Sequence, residues 1–141
     1  MAAGAWVFTD TTRSKFLTGQ FALADSYKMA LFTSGSDLTV ASTAFASVTS
    51  EVGITNTGYT AGGIAVALTQ SGTTTVTVIM TTAPVWTAGT ANLTAKWAAI
   101  YEVSGDVVCF ALLESGGADV TATSGNTYTV GSDGGTVFTL A

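Results

Sequence analysis

The chain has 141 residues, with four basic and nine acidic side chains, one cysteine and no histidine, and its formal net charge is −5. A single domain of this length can bury a sizeable core without disulfide bonds. The lack of histidine excludes Ser-His-Asp and Cys-His catalytic groups and Cys/His zinc sites, and the scarcity of lysine and arginine argues against nucleic acids and anionic membranes as partners.

Threonine, serine and glycine supply most of the polarity of the chain. Only 9% of the residues are charged, 48% are hydrophobic, and the mean hydropathy is +0.49. A free-standing soluble domain usually carries about 25% charged residues. The longest apolar run, around Cys109, is shorter than the roughly 18 residues of a transmembrane helix, and no secretory signal is evident. We therefore expect much of the surface to be covered in an assembly made in a reducing cytoplasm.

Residues 1–25 differ from the rest of the chain because they are rich in aromatic side chains. The segment 13–24 predicts a short helix, although Gly19 weakens that prediction. Such a segment either packs on its own domain or docks on a neighbouring subunit, and aromatic side chains favour docking because they give much contact area for few torsions. We predict an N-terminal arm outside the main domain, and its candidate contact residues are Trp6, Phe8, Arg13, Lys15, Phe16 and Phe21.

From Ser26 onward, alternating hydrophobic patterns and glycine-bearing turns predict strands. A turn follows at 58–63, the Ser71-Gly72 pair predicts a hairpin, and Pro84 is expected to end strand pairing beyond Thr82. Residues 38–58 predict a long loop with one short element. The predicted strands are 27–32, 64–70, 73–80, 92–103, 107–114, 127–130 and 136–140. This pattern predicts an all-β domain over 26–141, an antiparallel β-sandwich of the jelly-roll type.

One face of the longest predicted strand carries an alternating set of apolar residues. In 92–103, this set is Leu93, Ala95, Trp97, Ala99 and Tyr101, which we predict to share one side of the sheet. The next predicted strand contains Cys109 within an apolar run. A free cysteine in that setting is expected to act as a small buried hydrophobe rather than a reactive thiol.

Side chains that could perform catalysis are few. The best local group of carboxylates is Glu102, Asp106 and Glu114, which flank one predicted hairpin, and we expect them to be solvated turn and strand-end residues. Three aspartates in predicted turns could bind calcium through their oxygen atoms, namely Asp37, Asp119 and Asp133. None of them has the spacing of a calcium-binding loop. The sequence therefore predicts no enzyme, no cofactor and no metal site.

Trp86, just after the only proline, allows two interpretations. An exposed tryptophan could stack on a sugar ring, and that possibility keeps a carbohydrate- or receptor-binding module of a phage fibre or tail open as an alternative function. Equally, Trp86 could cap the sandwich core. A glycosidase is the least favoured interpretation, since it would need two carboxylates about 5–10 Å apart across a cleft.

The order and spacing of several segments resemble small virion proteins of tailed bacteriophages and prophages. Residues 25–34, with the letters DSYKMALFTS, resemble a recurring start in those proteins, and 58–63 resemble the turn that follows. Segments 83–88, 99–101 and 111–113 echo their later part. The resemblance covers most of residues 25–140, contains no catalytic signature, and fits residues 1–24 least well.

The resemblance implies a head decoration, or cement, protein of a podovirus-like phage. Such proteins are β-rich and bind as dimers or trimers outside the capsid shell, where they bridge neighbouring subunits. It therefore implies the major capsid protein as partner, a homodimer or secondly a homotrimer, and a place on the outer surface of the virion. Trp86 joins the aromatic and basic residues of the N-terminal segment as a candidate contact.

Overall fold

The structure, a computed structural model, describes residues 4–103 and 105–140. Predictions that extend to residues 1–3, Ser104 or Ala141 lie outside the described residues. The described chain is nearly all β, and all its strand pairs are antiparallel. Its elements are β1 (Val7–Phe8), α1 (Thr12–Leu17), β2 (Tyr27–Phe32), the 3-10 turn η1 (Phe45–Ser47), β3 (Ile64–Val66), β4 (Leu68–Ser71), β5 (Val76–Met80), β6 (Val85–Thr87), β7 (Leu93–Ala95), β8 (Trp97–Glu102), β9 (Val107–Leu112), β10 (Val120–Ala122), β11 (Thr127–Thr129) and β12 (Gly135–Leu140).

A five-stranded sheet with the order β1-β9-β8-β2-β3 forms one layer of the sandwich. Its centre is apolar in the sequence, and β2, β8 and β9 are almost entirely buried. The second layer consists of a three-stranded sheet, β12-β5-β4, and two ribbons, β10-β7 and β11-β6. The predicted antiparallel β-sandwich is confirmed, while the jelly-roll topology stays a prediction.

The five-stranded sheet is buried on both faces. Its inner face contributes Met29, Leu31 and Ile100 to the main core, which it shares with the second layer. Its outer face contributes Phe32 and Tyr101 to a smaller cluster. Residues of the 33–50 segment cover that cluster, and Phe45 stacks on Tyr101 with ring centroids 3.8 Å apart. The predicted loop with one short element, η1, is thus a covering layer of the sheet.

Two predicted strands are each divided between two sheets. The predicted strand 64–70 is β3 and β4, which belong to different layers and meet at Ala67. The predicted strand 92–103 is β7 and β8, which meet at Lys96. The prediction that five alternating residues of that strand share one face is therefore wrong. Leu93 and Ala95 lie in the main core, whereas Ala99 and Tyr101 lie in the outer cluster.

Three short strands were not predicted, and one of them is β1, which pairs with β9. The strand β6 begins directly after Pro84 and pairs with β11. The strand β10 pairs with β7. The described residues hold twelve strands in total, more than the seven or eight that the turn pattern suggests. Alternation does not show where a strand is divided at a single residue, and it does not detect strands of two or three residues.

The N-terminal segment packs on its own domain over residues 4–25, which corrects the prediction of an arm outside the sandwich. Val7 and Phe8 pair with Phe110 and Cys109, so β1 is the edge strand of the five-stranded sheet. Phe21 is only 6% exposed and belongs to the main core. The physical reason is that burying several large aromatic rings against the sheet removes far more apolar area from water than leaving them exposed.

Candidate functional site

Four phenylalanines, three from the N-terminal segment and one from β12, form one cluster, and we call it the aromatic cluster. The Phe8 ring lies edge-on to Phe138, with centroids 4.6 Å apart, and 6.2 Å from Phe16. Phe16 also contacts Phe21 at 5.7 Å and Phe138 at 5.5 Å. Three of these contacts are edge-to-face, which is favourable for aromatic rings at these distances, and the Phe16–Phe138 pair is tilted. Three of the predicted contact residues are thus brought together, with β12 supplying the fourth ring.

The helix α1 is fixed to the sheet by two buried threonines. The Thr12 hydroxyl donates to the Val108 carbonyl at 2.6 Å, and the Thr9 hydroxyl donates to the Val107 carbonyl at 2.9 Å. The two hydroxyl oxygens lie 2.7 Å apart. Buried polar groups that find such partners avoid a desolvation penalty. The helix therefore stands at a defined position above β9.

The basic residues of α1 make contacts within the chain. Lys15 forms an ion pair with Asp106, and its ammonium lies 5.5 Å from the ring centre of Phe21. The guanidinium of Arg13 lies 5.9 Å from the ring centre of Phe8. That Arg13 and Lys15 contact a partner stays a prediction, and the Lys15 charge already has a partner inside its own domain.

Leu17 is the most exposed large hydrophobic side chain in the described part of the chain. Its exposed fraction is 90%, and it is the last residue of α1. The helix ends there because Thr18 is its C-cap and Gly19 has a φ of +73°, a conformation that favours glycine. We define the N-terminal patch as the exposed side chains of Arg13, Ser14 and Leu17 beside the aromatic cluster. The sequence did not indicate an exposed Leu17, because a helix that continued over 13–24 would have turned this side chain toward the domain.

The two remaining candidate contacts, both tryptophans, are not part of the N-terminal patch. Trp6 is half-buried and packs against the main core. Trp86 is only 2% exposed, and its ring stacks on Tyr59 with centroids 6.3 Å apart. Its indole N–H has no hydrogen-bond partner among the described residues. The core-capping interpretation of Trp86 is therefore the one that the structure supports, and the ring offers no exposed face for stacking on a sugar.

The candidate carboxylates have structural contacts. The Asp106 side chain pairs with Lys15. Hydrogen bonds from the backbone of Gly116 and Ala118 hold the pKa of Glu114 below its usual value, whereas a general acid needs a raised pKa. Asp37 accepts from the Thr49 N–H at 2.8 Å, which likewise lowers the pKa of Asp37. Within residues 4–103 and 105–140, no three His, Cys, Asp or Glu side chains are placed to share a metal ion.

A tyrosine network holds the glycine-rich turn at 58–63. The Tyr59 hydroxyl donates to the Glu51 carboxylate at 2.7 Å and accepts from the Leu31 N–H at 3.1 Å. The same carboxylate accepts from the Gly62 N–H at 2.6 Å, and the Tyr101 hydroxyl donates to the Gly62 carbonyl at 2.7 Å. Burial and the hydrogen bond to Glu51 raise the pKa of Tyr59. This network fixes the turn against the sheet and leaves its groups paired.

Cys109 is fully buried in β9, as the sequence predicts, and burial raises the pKa of its thiol. Because the thiolate is the reactive form, the native protein should not react with an excess of 5,5′-dithiobis(2-nitrobenzoic acid) at pH 8. Full reaction of one thiol should appear only on unfolding in guanidinium chloride. Rapid labelling of the native protein would contradict the burial, and the denatured protein serves as the control for reagent activity.

None of the helices in the described part of the chain is long and apolar enough to cross a membrane. Comparison of the chain with known protein families, with curated proteins and with solved structures finds no match. The function must therefore be argued from the surface of the molecule.

Proposed function

We propose that the chain is a capsid decoration, or cement, protein that binds the outer surface of a phage head and bridges neighbouring major capsid subunits. In this proposal it acts without catalysis, as a homodimer or secondly a homotrimer, and its place is the virion. The observation that carries the proposal is Leu17, a large apolar side chain left 90% exposed beside a packed aromatic cluster. Burying such a side chain against a partner is worth about 2 kcal/mol.

The composition of the surface supports the same proposal. Several other large hydrophobic residues are more than 40% exposed, and they include Val40, Val85 and Val103. Charged residues are scarce in the chain, which has only thirteen in total, four basic and nine acidic. A surface of this kind costs little to desolvate when it is covered by a protein partner. The burial of Trp86 leaves no specific observation in favour of the carbohydrate-binding alternative.

Replacing Leu17 by serine should weaken attachment without unfolding the domain. The test uses purified protein and undecorated phage heads assembled from the major capsid protein of the same genome, with attachment measured by sedimentation. We expect wild-type protein to bind, and Leu17→Ser to bind about 10- to 30-fold more weakly, since the lost contact is worth about 2 kcal/mol. A point variant is preferable to removal of residues 1–24, because Phe8, Phe16 and Phe21 pack against the domain.

Ile54→Ser is the matched control, because Ile54 is 59% exposed and lies outside the N-terminal patch. It should bind heads about as tightly as the wild type. If the wild-type protein does not bind heads, the proposed function is wrong. If it binds and Leu17→Ser binds equally well, the cement function stands and the contact lies on another surface.

A further inference from the structure

A cleft of about 410 Å³ lies between the consecutive strands β10 and β11, within the range of roughly 300–1,000 Å³ that is usual for ligand sites. Consecutive antiparallel strands joined by a short turn usually pair as a hairpin. These two do not pair with each other, since β10 pairs with β7 and β11 pairs with β6. The lining is uncharged and consists of Leu113, Val120, Thr121, Ala122, Thr127, Tyr128, Thr129, Val130 and Gly131.

The main chain of β11 presents unpaired groups on the side away from β6. The Ala88 N–H donates to the Asn126 carbonyl at 2.8 Å, and the Val130 N–H donates to the Pro84 carbonyl at 3.2 Å. Alternate residues of an antiparallel strand direct their N–H and C=O groups to opposite sides. The main-chain groups of Thr127 and Thr129 therefore point away from β6, and they have no backbone partner within the described residues.

The main chain of β10 has the same property at Thr121. The hydroxyl oxygens of Thr94 and Thr121 lie 2.7 Å apart, which matches the closer, non-hydrogen-bonded type of cross-strand pair. In such a pair, the N–H and C=O groups of each residue face outward from the ribbon. Both strands that line the cleft thus carry free hydrogen-bonding edges.

We propose that this cleft receives an extended, uncharged segment of a partner polypeptide, which adds as a strand between β10 and β11. Main-chain hydrogen bonds to the two free edges would give the affinity, as in other cases of strand addition. The segment must be uncharged because a charge placed against this lining would lose its hydration without gaining a partner. The inference does not depend on the proposed cement function.

The test uses ¹⁵N-labelled full-length protein and the peptide acetyl-Gly-Thr-Val-Thr-Val-Gly-amide as probe. Main-chain recognition tolerates many side chains, so a generic uncharged strand is a fair probe at millimolar concentration. The expected result is saturable shifts of the amide signals of Thr121, Thr127 and Thr129, with their hydrogen exchange slowed about 10-fold or more. The absence of any saturable shift at these amides would overturn the proposal.

Two controls show whether main-chain pairing is responsible. The same peptide with N-methyl groups on its valines should fail to bind, since it lacks donors on one edge. Thr129→Pro removes one outward N–H of β11, and proline is tolerated at such edge positions. We expect Thr129→Pro to bind the probe at least about 10-fold more weakly, because it loses a donor and crowds the edge.

Gln70→Pro is the matched control variant. The Thr81 N–H donates to the Ala67 carbonyl at 2.9 Å, so Gln70 directs its N–H away from β5 on a different edge. This variant should bind the probe as the wild type does. Equal binding of the N-methylated peptide would overturn the proposal even if Thr129→Pro fails to fold. Concentration-dependent self-association that protects the same three amides without peptide would also overturn it, because the occupant would then be a second copy of the chain.

Discussion

Replacing Gly63 by alanine is expected to lower the free energy of unfolding by about 4 kcal/mol, from roughly 1–2 kcal/mol of left-handed backbone strain and 1–3 kcal/mol of overpacking. Gly63 has a φ of +74°, and a methyl group built on its Cα overlaps the carbonyl oxygen of Met29 in β2. The close approach of the two backbones is what lets the glycine-rich turn lead into β3. The measurement is urea denaturation, and the midpoint temperature of thermal unfolding should fall by about 15 °C.

Gly117→Ala separates the two causes. Gly117 has a similar φ of +81°, but nothing lies within 4 Å of the position that a methyl group would take. Its cost should therefore be backbone strain alone, about 1–2 kcal/mol. Equal losses for the two variants would show that the Met29 carbonyl yields easily, and the close contact would then not be what requires glycine at position 63.

Replacing Phe138 by alanine should destabilise the protein by about 4 kcal/mol and loosen the N-terminal segment. Phe138 is 8% exposed and contacts both Phe8 and Phe16. Its loss leaves the aromatic cluster without the ring that joins α1 to the second layer of the sandwich. Trypsin should then cut after Lys15 about 10-fold or more faster under native conditions, because local opening exposes the segment.

Leu140→Ala on the same strand is the control, since Leu140 is 40% exposed and lies outside the aromatic cluster. It should cost less than about 1.5 kcal/mol and leave cleavage after Lys15 near the wild-type rate. If Phe138→Ala gives no faster cleavage than Leu140→Ala, the hydrogen bonds of Thr9 and Thr12 to β9 hold the segment without help from the aromatic rings.

Alternation of hydrophobic residues located the central strands, since β2, β5, β8 and β9 all lie within the predicted strand segments. It could not show where a strand changes sheets. Val66 and Leu68 are both buried, so the alternation continues unbroken across Ala67 although β3 and β4 belong to different sheets. At Lys96 the chain also changes which cluster its apolar residues enter. Only the partner strands determine these divisions.

The strand β6 was missed because proline was expected to end pairing. Pro84 lacks a donor, but its carbonyl still accepts from the Val130 N–H at 3.2 Å, so the ladder with β11 can begin beside it. That ladder then carries Trp86 into the core opposite Tyr128. The fate of Trp86 depended on a pairing partner more than forty residues away, which the local sequence does not reveal.

The aromatic residues of the N-terminal segment were recognised from the sequence, but their partner was not. Phe138 lies at the other end of the chain, and nothing in its neighbourhood indicates that it completes the aromatic cluster. Leu17 was missed for the opposite reason. Its exposure depends on the early end of α1 at Thr18. The exact end of a helix is the feature that the spacing of apolar residues defines least well.

The pairing of Val7 with Phe110, and the contact of Phe8 with Phe138, set an order of events during synthesis. At about 5–20 residues per second, ribosomal synthesis of the intervening chain takes on the order of ten seconds. Throughout that interval Phe8, Phe16 and Phe21 lack the surface on which they finally rest. The nascent chain therefore exposes an aromatic segment until β12 emerges. A chaperone that binds exposed aromatic segments would bind this protein at residues 8–21.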